Sequence, residues 1–257
     1  MTRVLVVGAG GTMGGHVLRA VEAAPGVTVG AALDAPGHPS IGQTVAPGVD
    51  LGCDLQSAVA GCDVAIDFSV PDATFELLDA ALPRGLPLVI ATTGFTPEQE
   101  ADLQDAAAKL AIVRAGNFSL GVTVLLDLVA EAARRLPGYQ IEVLDIHHER
   151  KVDAPSGTAL DLARAAAEAR GVDLDEKVVY QREGHTGARK PDSIGIQSLR
   201  MGDVVGEHTV YFAGPGERIE LSHRALSREN FAAGAVRAAS WVAGRKPGLY
   251  SMRDVIA

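Results

Sequence analysis

The chain has 257 residues, 47% of them hydrophobic and 21% charged, with a formal net charge of -9. That is an ordinary globular composition, enough for one large domain or two smaller ones. The acidic balance, with no run of five like charges, argues against a general nucleic-acid or anionic-membrane binder, so any anionic ligand must meet a local positive field.

The first residues, MTRVLVVG, enter a strand pattern directly, without the basic, apolar and cleavage segments of a secretory signal. No stretch approaches the ~18 consecutive apolar residues of a spanning helix. Cys53 and Cys62 are too few for a disulfide framework and lack C-x-x-C spacing. A cytoplasmic protein is the expectation.

Residues 1–114 alternate apolar runs with amphipathic ones. RVLVVG (3–8), VTVGAALD (27–34), DVAIDFS (63–69), LPLVIATTG (86–94) and AIVRA (111–115) read as strands, with helical period between them over 71–83 and 97–109. The second of these helices opens on Thr96-Pro97-Glu98-Gln99, a capping-box spacing with proline at the first helical position. Apolar strands separated by helices predict a doubly wound, Rossmann-type parallel sheet covered on both faces.

After residue 117 the pattern changes. A helix over 120–136 leads to the strand IEVLDIHHE (141–149) and a helix from about 156 to 170. The polar, glycine-containing YQREGHTGARKPDS comes next, and then IGIQSLRM, HTVYFAG and RIELSHRAL, strand-like runs joined by short connections that suggest a mixed or antiparallel sheet in a second α+β domain. A closing helix over 229–243 ends at Gly244 and Pro247.

Strand one runs into GAGGTMG (8–14), with Gly8, Gly11 and Gly14 in phase, followed by the helical run 13–24. Glycines there let the backbone turn tightly and approach a pyrophosphate, whose charge is met by the N–H groups of the helix start. Strand two ends in Asp34, 20 residues after Gly14, where the dinucleotide fold places its ribose-binding acid. A carboxylate accepts from the two ribose hydroxyls of NAD and repels the 2′-phosphate of NADP. With Ala35 next to it and uncharged Thr12 in the loop, the sequence leans toward NADH, although His38 and Ser40 could weaken that preference. Asp67-Phe68-Ser69 and Thr92-Thr93-Gly94 follow later strands and are expected in the same crevice, with Thr92 and Thr93 offering hydroxyl and backbone donors.

Residues 147–160, HHERKVDAPSGTAL, gather two histidines and a lysine before a helix start. Adjacent histidines on a strand point to opposite faces, so they are poorly placed to share a metal ion, and no cysteine or paired acid at ligand spacing accompanies them. No metal is expected. The turn into the helix, with Ser156 as cap, Gly157 leaving room and Thr158 adding a hydroxyl, is an anion cradle, and Lys151 adds a full charge. Such a group suits a proton donor beside a carboxylate clamp.

These residues resemble the dihydrodipicolinate reductase family. An acid two before a histidine, three residues, and K-x-D-x-P-S-G-T-A are met by Asp145, His147, Lys151, Asp153, Pro155, Ser156, Gly157, Thr158 and Ala159. GAGGTMG, DFSVPDAT, TTGF, GNFSLGV, REGHTG, GDVVGEH and GLYSMRDV are similar to family segments in family order, over almost the whole chain.

The resemblance implies a dinucleotide domain of residues 1–117 and 229–257, and a substrate and oligomerisation domain of 118–228 that forms a homotetramer. It implies NAD(P)H-dependent reduction of 4-hydroxy-tetrahydrodipicolinate, a cyclic imine dicarboxylate, to tetrahydrodipicolinate in diaminopimelate and lysine biosynthesis. His147 would be the general acid, Lys151 its catalytic partner, and His148, Ser156, Gly157 and Thr158 substrate contacts. Gly8, Gly11, Thr12, Met13, Gly14, Asp34, Phe68, Ala91, Thr92, Thr93, Gly116, Asn117 and Phe118 would lie along NADH or NADPH. Closure about hinges over 116–121 and near 228 is expected.

The chain departs from the family pattern at Thr12 and Ala35, where arginines are common, at Ala91 for glycine and at Asp145 for glutamate. Two other readings share the N-terminal half: a different NAD(P)-dependent dehydrogenase, against which the His-Lys-helix cradle argues, and a non-catalytic NAD-binding sensor, which would need neither His147 nor Lys151.

Overall fold

The computed structural model describes all 257 residues. Its backbone forms two compact units, residues 1–120 with 228–257 and residues 121–227. No helix is long and apolar enough to cross a membrane.

The first unit begins β1 (Thr2–Val7), α1 (Thr12–Ala23), β2 (Val27–Leu33), β3 (Thr44–Ala46), β4 (Val49–Gly52) and α2 (Leu55–Ala60). It continues β5 (Val64–Asp67), α3 (Pro71–Ala81), β6 (Leu88–Ile90), α4 (Pro97–Ala107) and β7 (Ala111–Arg114). The expected capping box opens α4, with Thr96 and Gln99 each bonded to the other's backbone. After the second unit the chain returns as α8 (Glu229–Val242), β13 (Gly248–Tyr250) and α9 (Met252–Ile256).

The eight strands lie in the order β13-β7-β6-β5-β1-β2-β4-β3, parallel except for β3 against β4. Successive residues of one strand serve opposite cores. Val4, Val6, Val64 and Ile66 join Val17, Ala235 and Val242 of α1 and α8, whereas Leu5, Ala65, Leu88 and Ile90 join Leu77 and Leu103 of α3 and α4. All thirteen are fully buried, and each large side chain stabilises the fold by about 1.5–3 kcal/mol. Burial on both faces explains why these strands read as unbroken apolar runs. Phe118 and Leu120 pack into the α1–α8 core, which carries the first unit's edge to residue 120.

The chain leaves β1 for β2 on one side and resumes at β5 on the other, so the order reverses between β1 and β5. That switch point is where doubly wound sheets bind ligands, outside the carboxyl ends of the strands.

The second unit contains α5 (Leu120–Arg135, its first residue grouped with the first unit), β8 (Gln140–His147), α6 (Gly157–Arg170), α7 (Leu174–Lys177), β9 (Val178–Val179), β10 (Ile194–Arg200), β11 (Gly206–Gly214) and β12 (Glu217–Ala225). Its sheet runs β12-β11-β8-β10-β9 and is mixed: β10 is parallel to β8 and β9, while β11 is antiparallel to β8 and β12. This resolves the sequence reading in favour of the mixed arrangement. The connection through α6 returns the chain to β10 in the direction of β8, and the short 201–205 link then passes to β8's other side. Only β11 and β12 are a hairpin of consecutive neighbours.

On β8, Ile141, Val143, Asp145 and His147 form the buried face. The first two pack with Ile196, Phe212 and the small residues Ala159, Ala163 and Ala166 of α6. Asp145 and His147 therefore sit at the polar end of an otherwise apolar strip.

Candidate active site

In the first unit β1 ends at Val7 and Gly8 turns the chain at φ +76°. A Cβ on Gly8 would lie 2.4 Å from the Phe68 carbonyl oxygen, and one on Gly14 would lie 2.1 Å from the Gly8 oxygen. The loop after β1 is thus pressed between the loop after β5 and the first turn of α1, and only glycine fits both places. Gly11 caps α1 in an extended conformation without a side-chain bond, which keeps the helix start open to a ligand.

Asp34 follows β2. Its Oδ2 accepts the Gly10 N–H at 2.8 Å and its Oδ1 the Ala35 N–H at 2.8 Å, so the acid is fixed against the glycine loop. A carboxylate has about four acceptor sites, which leaves capacity for two ribose hydroxyls. Beside it opens a cavity of about 540 Å³, lined by Gly8, Gly11, Asp34, Ala35, Phe68, Asp72 and Glu76 among others, with carboxylates but no lysine, arginine or histidine on its wall. His38 is not on that wall: its ring covers Gly10, and its Nδ1 accepts the Ser40 N–H at 3.2 Å. Cleft, glycine turn, helix start and ribose acid together fit a dinucleotide.

The other expected cofactor residues separate into two groups. Thr12 and Thr93 are exposed, while Met13 and Ala91 are half-buried and pack on the core. Gly116 lies beside the Thr93 methyl, and Asn117 accepts the Ser119 N–H at 2.8 Å. Thr92, expected to offer its hydroxyl, is buried and already donates it to Asp67 Oδ2 at 3.0 Å. Phe118 is buried against Phe68, with ring centroids 6.1 Å apart. Burial thus makes Thr92 and the Phe118 ring supports of the crevice.

In the second unit Asp145 is the centre. The carboxylate is fully buried, with Oδ1 2.9 Å from His147 Nδ1 and 3.3 Å from His208 Nε2. The ring N–H directions do not run straight at Oδ1, so these are close electrostatic contacts more than well-aligned hydrogen bonds. Oδ2 accepts from the Ser156 N–H at 3.1 Å, the Ser198 hydroxyl at 3.1 Å and both terminal nitrogens of Arg200 at 3.3 Å. Burial pushes the Asp145 carboxyl up, but contacts from His147, His208 and Ser156 outweigh it and hold the group far below the usual carboxylate range.

An anion at Nδ1 favours a proton on that nitrogen and steadies the imidazolium, leaving Nε2 as the atom that can release a proton. Gly206 faces Nε2: a Cβ there would approach it to 3.0 Å. His208 sits edge-on to His147, with centroids 5.2 Å apart, and shares its Nε2 with the Ser156 hydroxyl at 3.1 Å. Across β11 and β12, burial and then His208 push His223 below the ordinary imidazole range. One ligand-type atom each from Asp145, His147 and His208 falls within 4.8 Å of the others, a set that strand alternation at His147 and His148 does not reveal. Arg200 already supplies this carboxylate with a cation, which fits a proton site better than a metal site.

Ser156, expected to touch substrate, is buried. Its hydroxyl caps α6 by accepting the Ala159 N–H at 3.2 Å and also meets His208, so it positions and does not present an open donor. Gly157 is exposed with open space around it, as a cradle requires. Thr158 is half-buried beside it, and His148 lies one residue beyond β8, also half-buried. Lys151 Nζ is held by Asp153 at 2.7 and 2.8 Å, and Arg200 donates to the Asp153 carbonyl at 2.7 Å, so one arginine links the Asp145 cluster to the lysine turn.

His208, Arg200 and Ser198 are absent from the sequence assignment of the site. They reach Asp145 and His147 only through register, Ser198 and His208 opposite Asp145 and Arg200 opposite His147. GDVVGEH was the one motif that carried His208.

A glycine-loop Rossmann unit, joined to an α+β unit carrying a buried carboxylate–histidine cluster and a helix start preceded by Lys151, defines a two-domain NAD(P)-dependent reductase. Family models described as dihydrodipicolinate reductase, N-terminus, and dihydrodipicolinate reductase, C-terminus, match residues 2–118 and 121–256. The chain belongs to the dihydrodipicolinate reductase family. It is 49% identical to the 4-hydroxy-tetrahydrodipicolinate reductase of Anaeromyxobacter dehalogenans, covering 100% of this chain and 98% of that protein. It is 48% identical to that of Halorhodospira halophila, covering 98% and 97%. Among solved structures, a dipicolinate-bound dihydrodipicolinate reductase from Paenisporosarcina superposes with a TM-score of 0.80 at 27% identity, over 98% of this chain and 97% of that one.

Proposed function

We propose that the chain reduces the cyclic imine dicarboxylate 4-hydroxy-tetrahydrodipicolinate to tetrahydrodipicolinate, with the first unit holding a nicotinamide dinucleotide and the second holding the substrate. The observation that carries this reading is the Asp145–His147 pair followed in the chain by Lys151 and the start of α6, where Gly157 is exposed. The dipicolinate in the Paenisporosarcina relative, a ring carrying two carboxylates, supports the substrate class.

The 4-hydroxyl leaves as water with a proton from C3, giving a C3–C4 double bond conjugated with the imine. Reduction then adds a hydride at ring C4 and a proton at C3, so that one hydride and one proton are consumed and one water is released. When bound, the nicotinamide supplies the hydride. His147 Nε2 delivers the proton, and Asp145 steadies the imidazolium before transfer and the Nδ1–H tautomer after it. Lys151, with three donors and only one carboxylate partner, turns toward a substrate carboxylate, and the N–H groups of Gly157 and Thr158 meet the same negative charge. His148 adds a further polar contact. Gly8, Gly11 and the α1 start hold the pyrophosphate, and Asp34 the adenosine ribose. Following the family resemblance, we assign the working form as a cytoplasmic homotetramer.

The cofactor wall supports NADH as the preferred donor. A 2′-phosphate would meet Asp34, with Asp72 and Glu76 on the same wall and no cation to offset them. With imine formed by condensing pyruvate and aspartate semialdehyde, kcat/KM for NADH is expected to exceed that for NADPH by roughly tenfold, equivalent to about 1.4 kcal/mol. Ala35→Arg is expected to narrow the ratio. A wild-type preference for NADPH would refute the cofactor assignment, and consumption of neither would refute the function.

A further inference from the structure

We infer that Asp67 is a positioning residue that ties the loops after β5 and β6 and the start of α3 together in the binding geometry of the dinucleotide crevice, an inference that rests on the cofactor reading above. Asp67 ends β5 at the switch point, and its carboxylate is fully buried in the first unit. Four donors converge on it from three segments. Oδ1 accepts both the hydroxyl and the backbone N–H of Ser69, the latter at 3.0 Å, in the loop after β5. Oδ2 accepts the Thr74 hydroxyl of α3 at 2.5 Å and the Thr92 hydroxyl of the loop after β6 at 3.0 Å. The Ser69 N–H also reaches Thr92 Oγ1 at 3.2 Å, closing the network between the two loops.

The turn held in this way is the one that touches the glycine loop. Phe68 N–H donates to the Val7 carbonyl at 3.1 Å, and the Phe68 oxygen stands where a side chain on Gly8 would have to go. Movement of the Asp67–Phe68–Ser69 turn is therefore passed to Gly8, while Phe68 and Ser69 themselves line the cavity. Asp67 itself contributes no cavity wall, so its effect on a ligand is indirect. Burial pushes its carboxyl up against the pull of its hydroxyl donors, a cost that a protein tolerates where a fixed geometry is useful. An apolar residue at this position would avoid that desolvation but leave three hydroxyls without their shared acceptor.

The test compares Asp67→Asn, Thr74→Val and Thr74→Ser with the wild-type chain by NADH fluorescence titration, steady-state kinetics and thermal melting. Asn keeps the shape but replaces one acceptor oxygen by a donor, so the dissociation constant for NADH is expected to rise about tenfold while KM for the imine changes little. Thr74→Val removes one hydroxyl from the same carboxylate and is expected to give a smaller rise. Thr74→Ser restores the hydroxyl and should recover wild-type NADH affinity even if loss of the methyl group lowers the melting temperature. A purely structural role predicts the reverse ordering, with affinity following melting temperature and not the hydroxyl. Unchanged NADH affinity in folded Asp67→Asn and Thr74→Val, beside a wild type that binds NADH, would overturn this inference alone. A wild type that binds no NADH would overturn the cofactor reading as well.

Discussion

In His147→Gln, kcat/KM for the imine is expected to fall by roughly 10²–10⁴-fold, the usual contribution of a positioned general acid, with the dissociation constant for NADH unchanged. Glutamine keeps a polar amide near the Asp145 carboxylate but cannot donate a proton to carbon. His147 belongs to the second unit and the glycine loop to the first, so the loss should fall on chemistry and leave cofactor binding intact. Rapid-mixing kinetics beside NADH titration separates the two. A loss below about tenfold would mean that another group or water protonates the ring, and the assignment of His147 would fall.

The second large effect is expected at Asp145, on stability as well as turnover. Asp145→Asn removes the buried negative charge while His147, His208 and Arg200 remain around it. Breaking a buried pair from one side typically costs about 3–5 kcal/mol, because the partner charge stays desolvated. Denaturant titration at neutral pH should show a loss of that order, together with a fall in kcat as His147 loses the anion at Nδ1. The pH dependence carries a definite sign. The folded chain holds this carboxyl far below its ordinary range, so the unfolded chain binds more protons and stability rises with pH. The contribution of Asp145 is present above the unfolded carboxylate pKa of about 3.9 and declines as pH falls below it. The Asn variant should show a flatter stability profile in that acid range. A variant as stable as the wild type at neutral pH would remove Asp145 from the centre of the cluster.

Where the structure depends on local chemistry, the residues announce it. Gly8 and Gly14 imply a turn under close contact, Thr96 and Ser156 are caps, and the unbroken runs at β1, β5 and β6 imply a sheet covered on both faces. Where it depends on pairing between distant segments, they do not. IGIQSLRM and HTVYFAG follow one another closely in the chain yet lie on opposite sides of β8, and no local pattern encodes that exchange. The same fact hides Arg200 and His208: each is an unremarkable strand residue until register brings it to Asp145 or His147. Residue type also overstates availability. Ser156 and Thr92 are suitable donors to a ligand, but burial gives their hydroxyls to the cap and to Asp67. The resemblance to the reductase family names Asp145, His147 and Lys151, and the structure adds their contacts, Asp145 against His147 and Arg200 reaching both Asp145 and the Asp153 carbonyl.

The central step is transfer of a hydride to C4 of a cyclic imine dicarboxylate. The most direct measurement supplies NADH deuterated at the transferable C4 position together with freshly formed imine, and locates the label in the product. The expected result is consumption of NADH and one deuterium on ring C4 of tetrahydrodipicolinate, with the C3 proton drawn from the protein and solvent. No consumption, or a product without deuterium at C4, would contradict it.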